Sequence, residues 1–201
     1  NNQVLFLFAT LNIVDLVAQM LFREVYRFRP QIVTGNFDLV LSRPVNPLFR
    51  SLLGGCDVLD FLTLPTLLIL TAILGVKLGP SGFDVFSYVL LLINALVISA
   101  AFHIAILSIG ILTTAIDHTV MIYRDIIAMG RIPVDFYKEP IRGLITFAFP
   151  VGIMMTLPAK VFMGIFDWEI LVYAFLFSAL CFILSLRFWQ FALNRYSSAS
   201  S

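Results

Sequence analysis

Charge is scarce in this chain. Asp, Glu, Lys and Arg make up 12% of its 201 residues, against about 25% in soluble domains. Together with 60% hydrophobic residues, that scarcity excludes an ordinary solvated globule and places the chain in the membrane class. Histidine is almost missing. His103 and His118 are the two present, fifteen residues apart, with no carboxylate or cysteine arranged to share a metal, and no metal site is expected. Cysteine is equally rare. Cys56 and Cys181 fall in different environments on the topology below, which argues against a disulfide. No GxxxxGK[ST] run is present, so the chain has no P-loop to cradle phosphates. HExxH and GxSxG are absent as well, which leaves an intramembrane hydrolase poorly supported.

Long apolar runs dominate instead. A helix needs roughly 20 mostly apolar residues to cross a hydrocarbon core of about 30 Å. Five stretches qualify, at about 3–22, 58–76, 85–116, 141–157 and 169–188. They are continuous rather than alternating, so they read as helices and not as barrel strands. The expectation is an all-α integral membrane protein, a polytopic helical bundle forming a single transmembrane domain over 1–201. The first residue is Asn1, which opens directly into an apolar run. A chain trimmed at its N-terminus, with a sixth span upstream, accounts for that start.

Positive charge sets the orientation. Arg23, Arg27, Arg29, Arg43 and Arg50 lie in 23–57, Arg124, Arg131, Lys138 and Arg142 in 117–142, and Arg187 and Arg195 at the end. The two other connections carry one lysine each, Lys77 and Lys160. The Arg-bearing regions are therefore expected in the cytosol, including a coupling region at 28–57, a second cytosolic region at 117–140 and the C-terminus. The setting is a plasma membrane, the inner membrane in a bacterium.

Polar residues within the spans fall on seams. Asn12, Asp15 and Gln19 share one face of the first helix by their i, i+3, i+7 spacing. They read either as a seam joining two helices or as the lining of a translocation path. Ser99, His103, Gly110, Thr113 and Asp117 form a small, polar stripe on the third helix that suits close packing. His103 reads as a hydrogen-bonded structural group or as a proton relay. That helix, longer than one crossing needs, is expected to project onward toward Met129.

The stretch FRPQIVTGNFDLVLSRPVNPLFR, 28–50, is too polar to cross a bilayer and too patterned to be a slack loop. Arg29-Pro30 is expected to end the first helix. Gly35 starts a short helix whose Phe37, Leu39, Val40 and Leu41 can form an apolar flank before Arg43-Pro44. A second short helix starts with Asn46 as N-cap and Pro47 at its first position, turning Leu48, Phe49, Leu52 and Leu53 inward. Such pieces lie on the membrane rather than crossing it. Further on, Gly130 and Pro133 end the extension of the third helix, and Pro140 starts the next. Pro150 and Pro158 interrupt the fourth apolar stretch, so 150–166 is expected to bend or re-enter. Trp168, Tyr173 and Trp189 mark the aromatic belts.

At this point a pattern is visible. GNFDLVLSRPVNPLFR followed by GRIPVDFYKEPIRGLITFAFPVGIMMTLPA resembles the permease subunits of type-2 ABC exporters, in the subfamily where two related permeases share a separate ATPase. The resemblance implies a six-span permease half that dimerises with a second copy or a related permease. It also implies short re-entrant helices before the last span and a cytosolic coupling helix that fits a groove on an ABC ATPase subunit. Carried onto this chain, that element is 35–49. Phe37, Leu41, Leu48 and Phe49 would be apolar anchors, Asp38 and Arg43 rim charges, and Gly35, Pro44, Asn46 and Pro47 would shape and stiffen the lever. ATP and Mg²⁺ would bind the partner and not this chain. Membrane lipid surrounds the bundle, and no nucleic-acid partner is expected. Two other readings remain open on the residues alone. One is half of an ion-coupled secondary transporter titrating Asp15 or His103. The other is an integral membrane enzyme or a non-transporting assembly factor.

Overall fold

Among the described residues, four helices are long and apolar enough to cross a membrane. In the computed structural model, residues 2–55, 57–132, 134–165 and 168–197 are described. The readings of Asn1, Cys56, Pro133, Phe166 and 198–201 lie outside them. Helix α1, Asn2–Phe22, tightens into a 3₁₀ turn at Arg23–Arg27 and continues as α2, Phe28–Val33. Pro30 was expected to stop the helix. It lies in the first turn of α2 instead, where its missing N–H costs nothing. Two short helices follow, α3 at Asn36–Leu41 and α4 at Pro47–Leu52.

Helix α5, Val58–Leu78, starts on Asp57, whose side chain accepts from the Leu59 N–H, and stops at left-handed Gly79. Helix α6, Gly82–Thr113, opens with a reciprocal Ser81–Asp84 capping box. It ends at Thr114, which adopts φ 59. There the chain turns back. Helix α7, Ile116–Met129, runs antiparallel along α6. Ile116 fills the space over Gly110, where a Cβ would lie 2.2 Å from the Ile116 side chain. Tyr123 reaches Ser99 at 3.1 Å. The expected straight projection toward Met129 is thus a fold-back. Of the small stripe, Ser99, His103 and Gly110 take part in this close packing, whereas Thr113 is exposed and Asp117 lies on α7.

Helix α10, Trp168–Asn194, runs parallel to α6. Phe83 meets Trp168 at 5.5 Å between ring centroids, and Asn94 Nδ2 donates to the Ala174 carbonyl. Helix α1 runs the same way, with Thr10 against Tyr88 and Phe22 against His103. The bundle therefore has an Arg-rich end, where 23–57 and the end of α10 gather, and a far end at Phe83 and Trp168.

Between α7 and α10 the chain departs from the sequence reading. The apolar stretch 141–157 is not one crossing helix. It is a hairpin of two arms. The first is α8, Ile141–Gly143, running into a π-helical turn at Leu144–Ala148. The second is a π-helical turn at Gly152–Thr156 running into α9, Leu157–Phe162. Phe149 is extended at the tip, and Pro150 beside it has no N–H to continue a helix. Both arm ends reach the far end. Phe162 stacks on Phe6 at 4.3 Å. Arg142 and Lys160 converge on Asp135, at 3.3 and 2.5 Å.

That convergence corrects the expected placement of 117–142. Asp117 stays at the Arg-rich end, paired with Arg29 at 3.0 Å, but the segment around Asp135 lies with Lys160 at the opposite end. The sequence hid this because α7 carries Asp117, Arg124 and Asp125, too much charge for a stretch to read as embedded in the bundle.

Candidate functional site

At the Arg-rich end, α2, α3 and α4 form one platform. Gly35 takes φ 74 between α2 and α3, a left-handed conformation that favours glycine. Asn46 caps α4 by accepting from Leu48 N at 2.9 Å and Phe49 N at 3.3 Å, with Pro47 at the first helical position. The sequence anticipated the Asn46 cap and Pro47 at the helix start, and placed Gly35 at the start of α3.

Phe37 was read as an outward docking anchor. It is fully buried and meets Phe28, Trp189 and Tyr196 edge-on, at 5.1, 6.4 and 5.2 Å. This aromatic cluster fixes α3 to the end of α10. Each such pair is worth about 0.5–1.5 kcal/mol beyond the area it buries. Asp38 is half-buried and bears on the Tyr196 phenol, which burial and the nearby Asp38 carboxylate hold in its neutral form by raising its pKa. Asp38 is therefore not a rim charge. Leu48 is half-buried against the core. Leu41, Arg43, Pro44 and Phe49 are exposed. Leu39 and Val45, outside the sequence-based set, are exposed beside them at 59% and 49%, with Phe49 at 61%. Periodicity could not separate the buried Phe37 from the exposed Leu39, because short helices on a platform lack a sustained apolar face.

A second set of contacts ties the platform to the bundle. Arg23 pairs with Asp57, and with Asp60 at 2.9 Å. The Leu59 N–H and the Arg23 guanidinium hold the Asp57 carboxyl below its ordinary pKa. Gln31 donates to Glu24 at 2.9 Å. Arg27 and Arg50 pack closely over Gly55 and Gly54. Arg29–Asp117 links α2 to α7.

Between α1 and α7 lies a half-open cavity of about 190 Å³. Asn12, Asp15 and Gln19 line it, as their shared helix face required. Tyr26 lines it from the 3₁₀ turn after α1, and Tyr123, Arg124 and Arg131 from α7 and its continuation, with Phe8, Leu11, Ile127 and Met155 as apolar wall. Neither arginine has a carboxylate within ion-pair distance among the described residues. Sequence reading missed both because it placed them in a cytosolic region beyond the membrane. Ser99 and His103 do not line the cavity. They lie behind Tyr123. His103 Nδ1 is 2.8 Å from the Ser99 carbonyl, which can only accept, so Nδ1 carries the proton. Nε2 is buried without a partner among the rings of Phe22, Tyr26 and Tyr123. His103 thus sits in an aromatic cage, and its Nδ1 is also 3.4 Å from the Ser99 hydroxyl, which meets the Tyr123 phenol at the cavity wall.

Among the described residues no cluster of His, Cys, Asp or Glu could hold a metal ion. A family model described as "ABC-2 family transporter protein" matches residues 1–200. The chain belongs to the ABC-2 transporter family. It is a multi-pass membrane permease of an ABC transporter, a transport component and not itself the catalytic subunit, and its family implies a partnering ABC ATPase. Neither the curated proteins nor the solved structures contain a match. In this ABC-2 permease α7 joins the platform and the cavity: Asp117 pairs with Arg29 of α2, and Arg124 lines the cavity opposite Asp15 and Gln19 of α1.

Proposed function

We propose that this ABC-2 permease is the membrane half of an ATP-driven exporter, with α2–α4 docking in a groove of a separate ATPase subunit. The observation that carries this reading is the platform. It is stiff, anchored through Phe37, and turns Leu39, Val45 and Phe49 outward. The chain has no P-loop, so ATP and Mg²⁺ belong to the partner. The excess of arginine makes the platform end cytosolic, with Arg195 and the C-terminus there too. ATP-driven closure of two ATPase subunits then moves the platform as a rigid body. The Phe37 cluster passes that movement to α10, the Arg23 clasp to α5 and the Arg29–Asp117 pair to α7.

The cavity receives the stroke. Along α6, Ser99 is about 24 Å from Phe83 at 1.5 Å per residue. Arg124, next to Tyr123, is near that level, and Arg131 is roughly 10 Å closer to Phe83. In a hydrocarbon core of about 30 Å, Arg131 is close to the middle. An arginine facing lipid there costs about 2.5 kcal/mol or more. The α1/α7 face therefore lines a water-filled path, closed by a second copy or a related permease. On this reading α7 and the 141–162 hairpin together make the fifth passage, with the hairpin re-entering from outside.

The test is capture of a co-expressed P-loop ATPase by the tagged permease, with transport measured alongside. Phe49→Ala should lower assembly by about 1–3 kcal/mol, the range for an important interface residue. Unchanged capture and transport by a variant with several outward residues of 39–49 replaced and their charge reversed would refute the docking role.

A further inference from the structure

We infer that the α1/α7 cavity selects an amphiphile with an anionic head group, such as a phosphate or a carboxylate. This rests on the cavity being the transport path. The two cations that line it, Arg124 and Arg131, are seven positions apart, so they fall on one side of α7 and its continuation. They form two stations roughly 10 Å apart along the bundle axis.

The rest of the lining fits the same class. At the station nearer the platform, the Tyr26 and Tyr123 phenols can donate to an acceptor oxygen. At the other, Phe8, Leu11, Ile127 and Met155 provide an apolar wall for a chain. Asp15 is the one acid of the lining, so the cavity carries an excess of one positive charge. A planar guanidinium takes phosphate or carboxylate oxygens in a two-pronged bond that a cationic head cannot make. Inside a low-dielectric wall that preference strengthens. A cationic amphiphile would have Asp15 alone to meet it, and both arginines against it.

The arginines have a rival use. In a dimer they could pair with carboxylates of the second copy and be spent on assembly. The experiment separates the two. The full chain is placed in phosphatidylcholine nanodiscs, with Cys56 and Cys181 replaced by serine and Gln19→Cys as reporter. A water-soluble maleimide reads the exposure of position 19. Dodecyl phosphate, inorganic phosphate and dodecyltrimethylammonium are then compared as protectants. The expected result is rapid labelling without additive, and protection by dodecyl phosphate at a concentration at least tenfold below either control. Arg124→Gln with Arg131→Gln should remove that difference. Arg124→Lys with Arg131→Lys should retain part of it, which guards against a folding defect in the glutamine pair.

Equal protection by the cationic amphiphile overturns the inference and leaves the path reading standing. So does a phosphate preference that survives the double glutamine variant, or a double glutamine variant that falls from dimer to monomer while its preference persists. No labelling at all means a dry cavity, and sinks the path and the inference together.

Discussion

Phe37 and Phe49 are twelve positions apart in one short region and do opposite things. Phe37 is enclosed by Phe28, Trp189 and Tyr196, so Phe37→Ala should destabilise the permease by about 3–5 kcal/mol, the usual cost of truncating a buried phenylalanine. Phe49 is 61% exposed, so Phe49→Ala should leave thermal stability within about 0.5 kcal/mol of the parent and act on ATPase capture alone. Melting curves in detergent separate the two. Thr114 offers a test in the other direction. Its φ of 59 costs an L-residue roughly 1–2 kcal/mol, so Thr114→Gly should raise stability by about 1 kcal/mol, less what the bond from its hydroxyl to the Thr113 carbonyl contributes. Asp57 predicts a pH dependence. Its folded pKa is lowered, so its contribution is complete above the ordinary aspartate value and is lost as pH falls through the folded one. Thermal stability should therefore decline below about pH 4, and Asp57→Asn should flatten that part of the decline. Residue chemistry of the local kind was legible in the sequence: the Asn46 cap, Pro47 at the helix start and the shared face of Asn12, Asp15 and Gln19 all stand as read. Burial of Phe37 was not, because it depends on Trp189 and Tyr196, distant in sequence and brought close by the fold.

At the scale of elements, the long helices were legible and the broken ones were not. Hydropathy finds α1, α5, α6 and α10 because each is long and has a high mean hydropathy. It cannot find α7, which carries Asp117, Arg124 and Asp125, and it reads 141–157 as one helix because both arms of the hairpin are apolar. Proline placed the break correctly at Pro150, yet nothing local says that the arms fold back on each other. The Asp135 ion pairs do. Cysteines replacing Asp135 and Lys160 should cross-link readily within one chain with a short bifunctional reagent, and fail to do so if 117–142 stays at the Arg-rich end. The platform makes a separate prediction. Pro44 is exposed on the α3–α4 connection, and its fixed φ limits how far that connection can flex. Pro44→Gly should leave ATPase capture intact while lowering transport per ATP hydrolysed, measured together in proteoliposomes.

For the whole molecule, charge asymmetry survives the correction of the hairpin. Arg23, Arg27, Arg29, Arg43, Arg50, Arg187 and Arg195 remain at the platform end, whereas Lys77 and Lys160 at the far end are joined by Lys138 and Arg142 from the segment around Asp135. On the proposed docking, a stroke received by α2–α4 would reach the α1/α7 cavity through Arg29–Asp117 and the Arg23 clasp. Asp15→Asn should leave ATP-driven transport largely intact, since Asn12 and Gln19 keep the wall polar. The most direct measurement is the maleimide labelling rate of the Gln19→Cys variant in the reconstituted permease–ATPase complex, compared with and without ATP and vanadate. The account predicts that trapping the ATPase changes that rate several-fold, and that Pro44→Gly blunts the change while ATP hydrolysis continues. A labelling rate indifferent to ATP, in a complex that hydrolyses and transports normally, would contradict the link between platform and cavity.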